Sequence, residues 1–564
     1  MDGIDLGAPI ATLRSLGALA TDNFRYKSGH SAKWSKSPIT FDLISQCLLS
    51  DRDSQRAIDI FFKHCHPSAP VLEEDIRHFW REPDRYSPTL ILAICSVGTR
   101  FWNNDSRRDT IDAVHPSFNN LTNLLDKAVS SLLLRPTPSD VTLDSVRVLL
   151  LYAQWMPCSR EDGNDLGASQ AHAPRSRYNE ISAWAILGLA VRYATLLGLD
   201  RSAIASFRAH MNGPSEHDVN RLRVWYNLLT CSFNLMLTSG LPASIDPELS
   251  VQVAQRFSSH DKTQYPGDLR VTGLVELVGI VHRAMRSSRD VSARQLQAHS
   301  LQKLNSDMDA WERTWFSLLH NTEFQHNRLP FNSLRWYRLS LNSASLAPLL
   351  SATSPLPTEL AREALRHPLK ISLTAAAQMI LSFSRFGSDF VWELDSQTPL
   401  SFPDGPFHVD AGSIGQLYYA VDSTWISHTF AVTFLVICYM RGIINENLQI
   451  CFQKDSPNKI ATKVSSSSWS ILPRLLLLAL EIFDGVCPTA TFHFSRDFQG
   501  LIRYAVSLVM SLDQQDANGG ETVDDLAFQS LLELMNDSGV DWAGSLLGEP
   551  GEFTDWNMSE MLDG

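Results

Sequence analysis

The densest group of potential metal ligands in the chain is His64-Cys65-His66. Zinc prefers imidazole and thiolate ligands, and a structural site needs about four of them around one ion. Consecutive side chains of a helix point in different directions, and no second group of ligands follows at a useful spacing. We therefore expect His64 and His66 to have a structural role at a helix end before Pro67, with metal binding as the less favoured alternative.

The acidic pair Asp524-Asp525 is the other feature with catalytic chemistry, because helical terpenoid synthases bind magnesium through aspartate-rich motifs. Here Phe528 stands where a further acid is needed. The sequence also contains no GxSxG, no HExxH and no Gly-Lys dipeptide that could begin a phosphate-binding loop. We predict that the protein is not an enzyme, and an enzyme with an unrecognised site remains an alternative.

Eight cysteines are scattered along the chain, at positions 47, 65, 95, 158, 231, 438, 451 and 487. No close pair suggests a disulfide framework, and no CxxC suggests a zinc knuckle. We expect reduced, mostly buried thiols and no cofactor in this chain.

The sequence predicts neither a secretory signal nor a membrane span. Two aspartates precede the first arginine, so the N-terminus lacks the cationic start of a signal peptide. The longest apolar run, at 430–440, is about half of the roughly 20 residues that a membrane helix needs. We expect a core helix there, and a protein that stays inside the cell.

The net charge of −13 is concentrated at the C-terminal end. No Lys or Arg follows Arg503, whereas residues 513–563 contain 13 of the 61 Asp and Glu residues. Residues 1–503 are then balanced, with 48 basic and 48 acidic side chains (61 minus 13). Such a body has no clustered cations for gripping nucleic acid by itself.

Helical periodicity recurs along most of the sequence, without convincing strand alternation. We predict an all-α protein with a flexible segment at 1–40, a large helical domain at 41–512, and an acidic, partly helical tail at 513–564. The predicted helices lie at about 53–65, 87–102, 118–134, 141–155, 179–198, 217–239, 268–287, 293–319, 331–351, 358–386, 412–442, 467–483 and 497–512. Loops are expected at 157–177 and 396–412.

The most regular predicted helix spans residues 181–200 and is apolar on nearly all sides, so we expect it inside the helical body. Gly198 is its expected left-handed C-cap, and Gly188 should allow a close helix approach. Trp184 is interpreted as a core aromatic, as is Trp225 in a later helix. Arg192 is interpreted as a surface cation, with a buried ligand or carboxylate contact as the alternative.

Several stretches in sequence order resemble the fungal-specific transcription factor domain, a helical regulatory region that usually follows a binuclear zinc, six-cysteine DNA-binding module. The resemblance covers about 200 residues, with a recognisable core at 55–250. Its segments are 57–72, 87–101, 188–199 and 221–245. The matching motif residues include Phe61, Phe62, His64, His66, Pro67, Trp184, Gly188, Arg192, Gly198, Arg223, Trp225, Gly240 and Pro242.

The chain also departs from the family pattern. Ser232 and Phe233 stand where the family often has Asp-Arg, and Leu241 stands where it has Arg. The C-x2-C-x6-C pattern that would bind two zinc ions is absent from this sequence. Zinc is therefore expected only if a six-cysteine module exists upstream, and contact with DNA only through such a module or a partner.

The resemblance implies a nuclear regulator of RNA polymerase II transcription that controls a metabolic or biosynthetic gene set. It also implies contact with the transcription machinery or a coactivator, and it leaves open a homodimer and a small-molecule effector. No membrane association is implied. A co-regulator or interaction scaffold that does not bind DNA is the alternative function.

The acidic tail contains two groups of apolar residues. Phe528, Leu531, Leu532 and Met535 share one face of a predicted acidic helix. Trp542, Phe553 and Trp556 are interleaved with acids further on, as in acidic activation segments. All seven are candidate coactivator contacts, and the alternative for 524–535 is docking on the body of the protein.

Overall fold

The computed structural model describes residues 48–82, 84–102, 114–156, 158–159, 175–176, 180–208, 213–287, 298–320, 329–350, 358–385, 405–452, 470–486, 493–515 and 531. Within these ranges the chain is helical apart from turns and one antiparallel pair of two-residue strands, Cys158–Ser159 and Arg175–Ser176. The prediction of an all-α fold is confirmed. Residues 1–40 lie outside the described ranges. Of the tail at 513–564, only residues 513–515 and Leu531 are described.

The first half of the fold contains the following helices: α1 Asp51–Ile60, which continues as a π-helical turn Phe61–Cys65, α2 Ile76–Phe79, α3 Pro88–Arg100, α4 Phe118–Leu134, α5 Leu143–Gln154, α6 Glu180–Leu196, α7 Ile204–Arg208, α8 Glu216–Ser239 and α9 Glu248–Ser258. A second π-helical turn, Leu199–Ala203, joins α6 to α7.

The second half contains α10 Gly267–Ser287, α11 Ala298–His320, α12 Leu329–Ser343, α13 Ala347–Leu350, α14 Glu359–Leu381, α15 Ala411–Leu417, α16 Ser423–Met440, α17 Ile471–Val486 and α18 Arg496–Gln515. Helix α8 lies at the centre, where it packs against α5, α6, α10, α12 and α16.

Local sequence signals explain where several helices begin. The Ser87 hydroxyl accepts a hydrogen bond from the Leu90 backbone N–H at the start of α3, and Pro88 occupies the first turn. At the start of α8, Ser215 and Asp218 form a reciprocal capping box. These caps satisfy N–H groups that have no partner within the helix.

The structure differs from the predicted helices in several places, of which two are instructive. Helix α9 was not predicted, although its buried residues Ser250, Val253, Ala254 and Phe257 follow helical spacing. The predicted helix at 412–442 is interrupted between α15 and α16. The interruption places Asp422 where its backbone N–H donates to the Gln154 carbonyl at 3.0 Å, which is a long-range contact that local periodicity does not encode.

Helix α16 is long and apolar enough to cross a membrane by length and composition alone. It packs instead against α8, α14 and α18, and 78% of its apolar window is buried inside the protein. The expected core helix at 430–440 is therefore present as part of α16.

A buried ion pair connects the two halves of the fold. Arg100, at the end of α3, donates to both carboxylate oxygens of Asp422, at 2.9 and 3.3 Å. Their side chains are only 3% and 1% exposed. The Met156 backbone N–H also donates to Asp422, at 2.9 Å. Burial raises the pKa of Asp422, and the Arg100 guanidinium opposes that rise.

We expect Asp422→Ala to destabilise the protein by about 3–5 kcal/mol, because it leaves the buried guanidinium of Arg100 without its carboxylate. Chemical denaturation followed by circular dichroism measures this. Asp484→Ala is the matched control, because Asp484 pairs with Arg503 at the surface and its loss should cost at most about 1 kcal/mol. Equal effects of the two substitutions would contradict the assigned importance of the buried pair.

Candidate functional site

The residues of the His64-Cys65-His66 group contact different parts of the fold. His64 is half-buried and stacks on Tyr419, with ring centroids 4.2 Å apart. His66 is buried, and its Nε2 lies 3.0 Å from the Leu72 carbonyl oxygen. Burial is the main reason why the pKa of His66 falls to about 3. In the described part of the chain no three His, Cys, Asp or Glu side chains group closely enough to hold a metal ion.

The first two motif segments are in direct backbone contact. A Cβ atom at Gly98, in α3, would lie 2.1 Å from the Ala57 carbonyl oxygen in α1. A real Cβ does not approach a backbone oxygen that closely, so only glycine permits this helix crossing. The crossing is buried, since Ala57 and its neighbour Ile58 are both inaccessible to solvent.

The fourth segment makes polar contacts in the core with α9, with α10 and with the first segment. Arg223, in α8, donates to both carboxylate oxygens of Asp268, from Nε at 2.8 Å and from Nη2 at 2.7 Å. The Asn227 side-chain amide donates to the Pro70 carbonyl at 3.0 Å. Trp225 is buried as expected, and its indole N–H donates to the Ser250 hydroxyl at 2.9 Å.

Helix α6, which contains most of the third segment, contacts the fourth segment near both of its ends. Near its beginning, the Trp184 indole N–H donates to the Pro242 carbonyl at 3.0 Å. At its end, Arg221 donates to the Leu197 carbonyl and, at 2.8 Å, to the Ser202 hydroxyl. The bond from Arg221 satisfies the Leu197 carbonyl, which has no acceptor role within the helix that ends beside it.

Two motif glycines adopt the left-handed conformation in which side chains are strained. Gly198 follows α6 with a φ of 70°, so the predicted C-cap is confirmed. Gly240 caps α8 with a φ of 69°, and its N–H donates to the Met236 carbonyl. The glycine at each position therefore ends its helix.

Three expectations for α6 were wrong. One face of the helix is exposed, so the helix is not buried on all sides. Trp184 lies on this face and is 37% exposed, which excludes a fully buried core position. A Cβ at Gly188 would approach only the Arg192 side chain, at 3.7 Å, so no helix packs closely there. Arg192 is exposed, in agreement with the interpretation as a surface cation.

Other buried polar residues were not predicted. Arg338, in α12, donates to Glu312 at 2.7 Å and also pairs with Asp309, both in α11. Nearby, the Asn305 and Asn342 amides exchange two hydrogen bonds, at 3.0 and 3.1 Å. The sequence did carry a signal for this ion-pair network. Arg338 stands in an apolar helix, and Asp309 and Glu312 are three residues apart in the preceding helix.

The described cysteines are mostly buried thiols. Cys65, Cys95 and Cys438 are buried, Cys231 is partly buried and Cys451 is exposed, in agreement with the expectation of mostly buried thiols. Burial raises the pKa of the Cys231 thiol to about 12. Reactivity that depends on a thiolate is therefore suppressed at this position.

The candidate coactivator contacts are almost entirely outside the described residues. Leu531 is helical and buried. Phe528, Leu532, Met535, Trp542, Phe553 and Trp556 lie outside the described ranges. The burial of Leu531 agrees with docking of 524–535 on the body, while the coactivator role stays a prediction.

Comparison with known proteins identifies the class of domain to which this framework belongs. Residues 58–313 match the model of the fungal specific transcription factor domain. The chain therefore contains this domain, and the match extends beyond the expected core at 55–250. No zinc-cluster domain accompanies it in the comparison.

A curated relative supports the same class. The chain is 27% identical over 177 residues to a transcriptional activator of proteases, prtT, from Emericella nidulans. The alignment covers 31% of this chain and 22% of that protein. No solved structure matches the chain.

We expect Gly98→Ala to destabilise the protein by more than about 1–3 kcal/mol, because the added methyl group overlaps a backbone carbonyl that cannot rotate away. Gly500→Ala is the control, since a Cβ there meets nothing within 4 Å in the middle of α18. Helix propensity predicts that this control is stabilising by about 0.5–1 kcal/mol. Thermal unfolding of the two variants should therefore shift in opposite directions, and a tolerated Gly98→Ala would contradict the close crossing.

Three buried histidines predict a loss of stability in mild acid. Burial is the main cause that lowers the pKa of His66 and His493 to about 3 and of His428 to about 4. Because the unfolded chain takes up protons near pH 6.5 and the folded protein does not, stability is retained above that pH and lost as the pH falls.

We expect the free energy of unfolding to fall by about 3 kcal/mol between pH 6.5 and 5.5, about 1 kcal/mol for each histidine. Urea titrations at both pH values measure it. His428→Gln should remove about a third of this dependence, whereas the exposed His217→Gln should leave it unchanged. A stability that is flat across this interval would show that the buried histidines do not remain neutral.

Proposed function

We propose that the protein is a nuclear transcriptional regulator of a fungus, in which the helical body is the regulatory part. The observation that carries this proposal is the match of residues 58–313 to the fungal specific transcription factor domain. The contacts among its motif segments support a scaffold role for the motif residues, because Arg223, Gly98 and Gly198 bind or pack against the protein itself. Catalysis is not part of the proposal.

The regulated genes belong, in this proposal, to a metabolic or biosynthetic set. The name of the relative, a transcriptional activator of proteases, supports control of a gene set of this kind. Contact with DNA is supplied by an upstream zinc-cluster module or by a DNA-binding partner. A homodimer would place two such bodies at one regulatory site.

The acidic tail is the proposed contact with the transcription machinery. Its 13 acids without a single cation keep the segment solvated, and its aromatic residues provide apolar anchors for a coactivator groove. The burial of Leu531 supports docking of 524–535 on the body. Residues 541–562 then form the activating part.

An alternative function follows from the absence of C-x2-C-x6-C in this sequence and from the balanced charge of residues 1–503. The protein would then be a co-regulator that reaches promoters through a DNA-bound partner. Chromatin immunoprecipitation separates the two functions. A co-regulator loses promoter occupancy when its partner is deleted, and a DNA-binding regulator does not.

We expect residues 513–564, fused to an unrelated DNA-binding domain, to activate a reporter gene. Replacing Trp542, Phe553 and Trp556 with alanine should remove most of this activity, because the apolar anchors are lost while every acid remains. The matched control replaces Ser538, Ser545 and Ser559 with alanine and should retain it. A silent wild-type fusion at normal protein level would exclude the activating role of the tail.

A further inference from the structure

A buried arginine with an unsatisfied side-chain nitrogen lies near the start of α10. Arg270 is 5% exposed, and its Nη1 atom is buried with no hydrogen-bond acceptor within reach in the described part of the chain. Burial lowers its pKa to about 10. A guanidinium with that pKa is still charged at neutral pH, so the protein carries a buried positive charge at this position.

The carboxylate nearest in sequence, that of Asp268, already pairs with another guanidinium. Asp268 accepts two hydrogen bonds from Arg223 and a third from the Gln264 backbone N–H, at 2.7 Å. His66, whose pKa is lowered by burial and further by Arg223 and Arg270, is neutral. Asp268 therefore balances Arg223, and no described carboxylate forms an ion pair with Arg270, so its positive charge is in excess.

The excess charge lies where three parts of the family domain meet. Arg223 and Asp268 join α8 to α10, and Asn227 joins α8 to the 57–72 segment through Pro70. A Cβ at Gly267 would lie 3.0 Å from the Pro70 side chain, so α10 begins directly against that segment. A ligand bound by Arg270 would therefore lie at the junction of α8, α10 and the 57–72 segment.

A buried ion without a counter-ion costs several kcal/mol, and an arginine presents paired donors that match the oxygens of a carboxylate or a phosphate. We propose that Arg270 is the anchor of a binding site for a small anionic ligand, which contributes a carboxylate or a phosphate group as the missing counter-ion. Binding would stabilise the junction of α8, α10 and the 57–72 segment.

This site specifies the chemical class of an effector for the regulatory role proposed above. Its test is binding to the purified protein, and it involves neither DNA nor a reporter gene. Failure of the binding test would therefore leave the proposed transcriptional function in place, and failure of the reporter test would leave the anion site in place.

The experiment uses the full chain with sodium phosphate and sodium succinate as probes, each at about 10 mM and compared with sodium chloride at equal ionic strength. The wild type should unfold at a higher temperature in at least one probe than in chloride. Titration calorimetry should show binding of that probe to be at least about tenfold weaker for Arg270→Met. A response to phosphate alone identifies a phosphoryl ligand, and a response to succinate alone identifies a carboxylate.

Two controls make the result decisive. Arg313→Met removes an exposed cation from α11 and should leave the response to the probe unchanged. In chloride, Arg270→Met should be at least as stable as the wild type, because it removes an unbalanced buried charge. The proposal is overturned if the wild type responds to neither anion, if Arg270→Met binds equally well, or if Arg270→Met is destabilised or unfolded in chloride.

Discussion

The bidentate ion pair between Arg100 and Asp422 is the contact on which the packing of the two halves of the protein depends. Asp422 also accepts the Met156 N–H, and its own N–H donates to Gln154, so one residue of the second half bonds three points of the first. Aromatic side chains surround this point. Tyr419 stacks on His64, and Phe101 lies edge-on to Tyr418 with ring centroids 5.3 Å apart.

This arrangement explains why polar residues are retained in a large apolar core. Apolar contacts are non-directional and tolerate slippage between helices, whereas a buried charge pair is satisfied at one position only. Arg223 with Asp268 and Arg338 with Glu312 have the same role between other helices. Removing one member of such a pair costs more than the pair itself contributes, so each pair discriminates strongly against alternative packings.

Helix content, the C-cap at Gly198 and the domain class could be predicted from the sequence because each depends on local patterns. Partners could not be predicted in the same way. Arg192, Arg100 and Arg270 all lie in helices with many apolar residues, yet they differ in their surroundings. Arg192 is exposed, Arg100 is paired across the fold, and Arg270 has a buried nitrogen without an acceptor among the described residues. Which of these environments an arginine has depends on residues distant in the chain. The interruption between α15 and α16 likewise depends on the contacts of Asp422 with Gln154 and Arg100. Trp184 was misjudged because an aromatic at helical spacing does not reveal which face of the helix is covered.

The unit of sequence similarity and the unit of folding differ in this protein. The family match ends at residue 313, but the carboxylate that balances Arg100 lies at 422, and α16 packs against the central helix α8. A fragment cut at the family boundary would expose the apolar surface that α16 covers and would retain an orphaned cation in its interior. A chimaera that exchanges regulatory domains between related proteins would therefore have to carry the helices from 405 to 515 with the recognised domain.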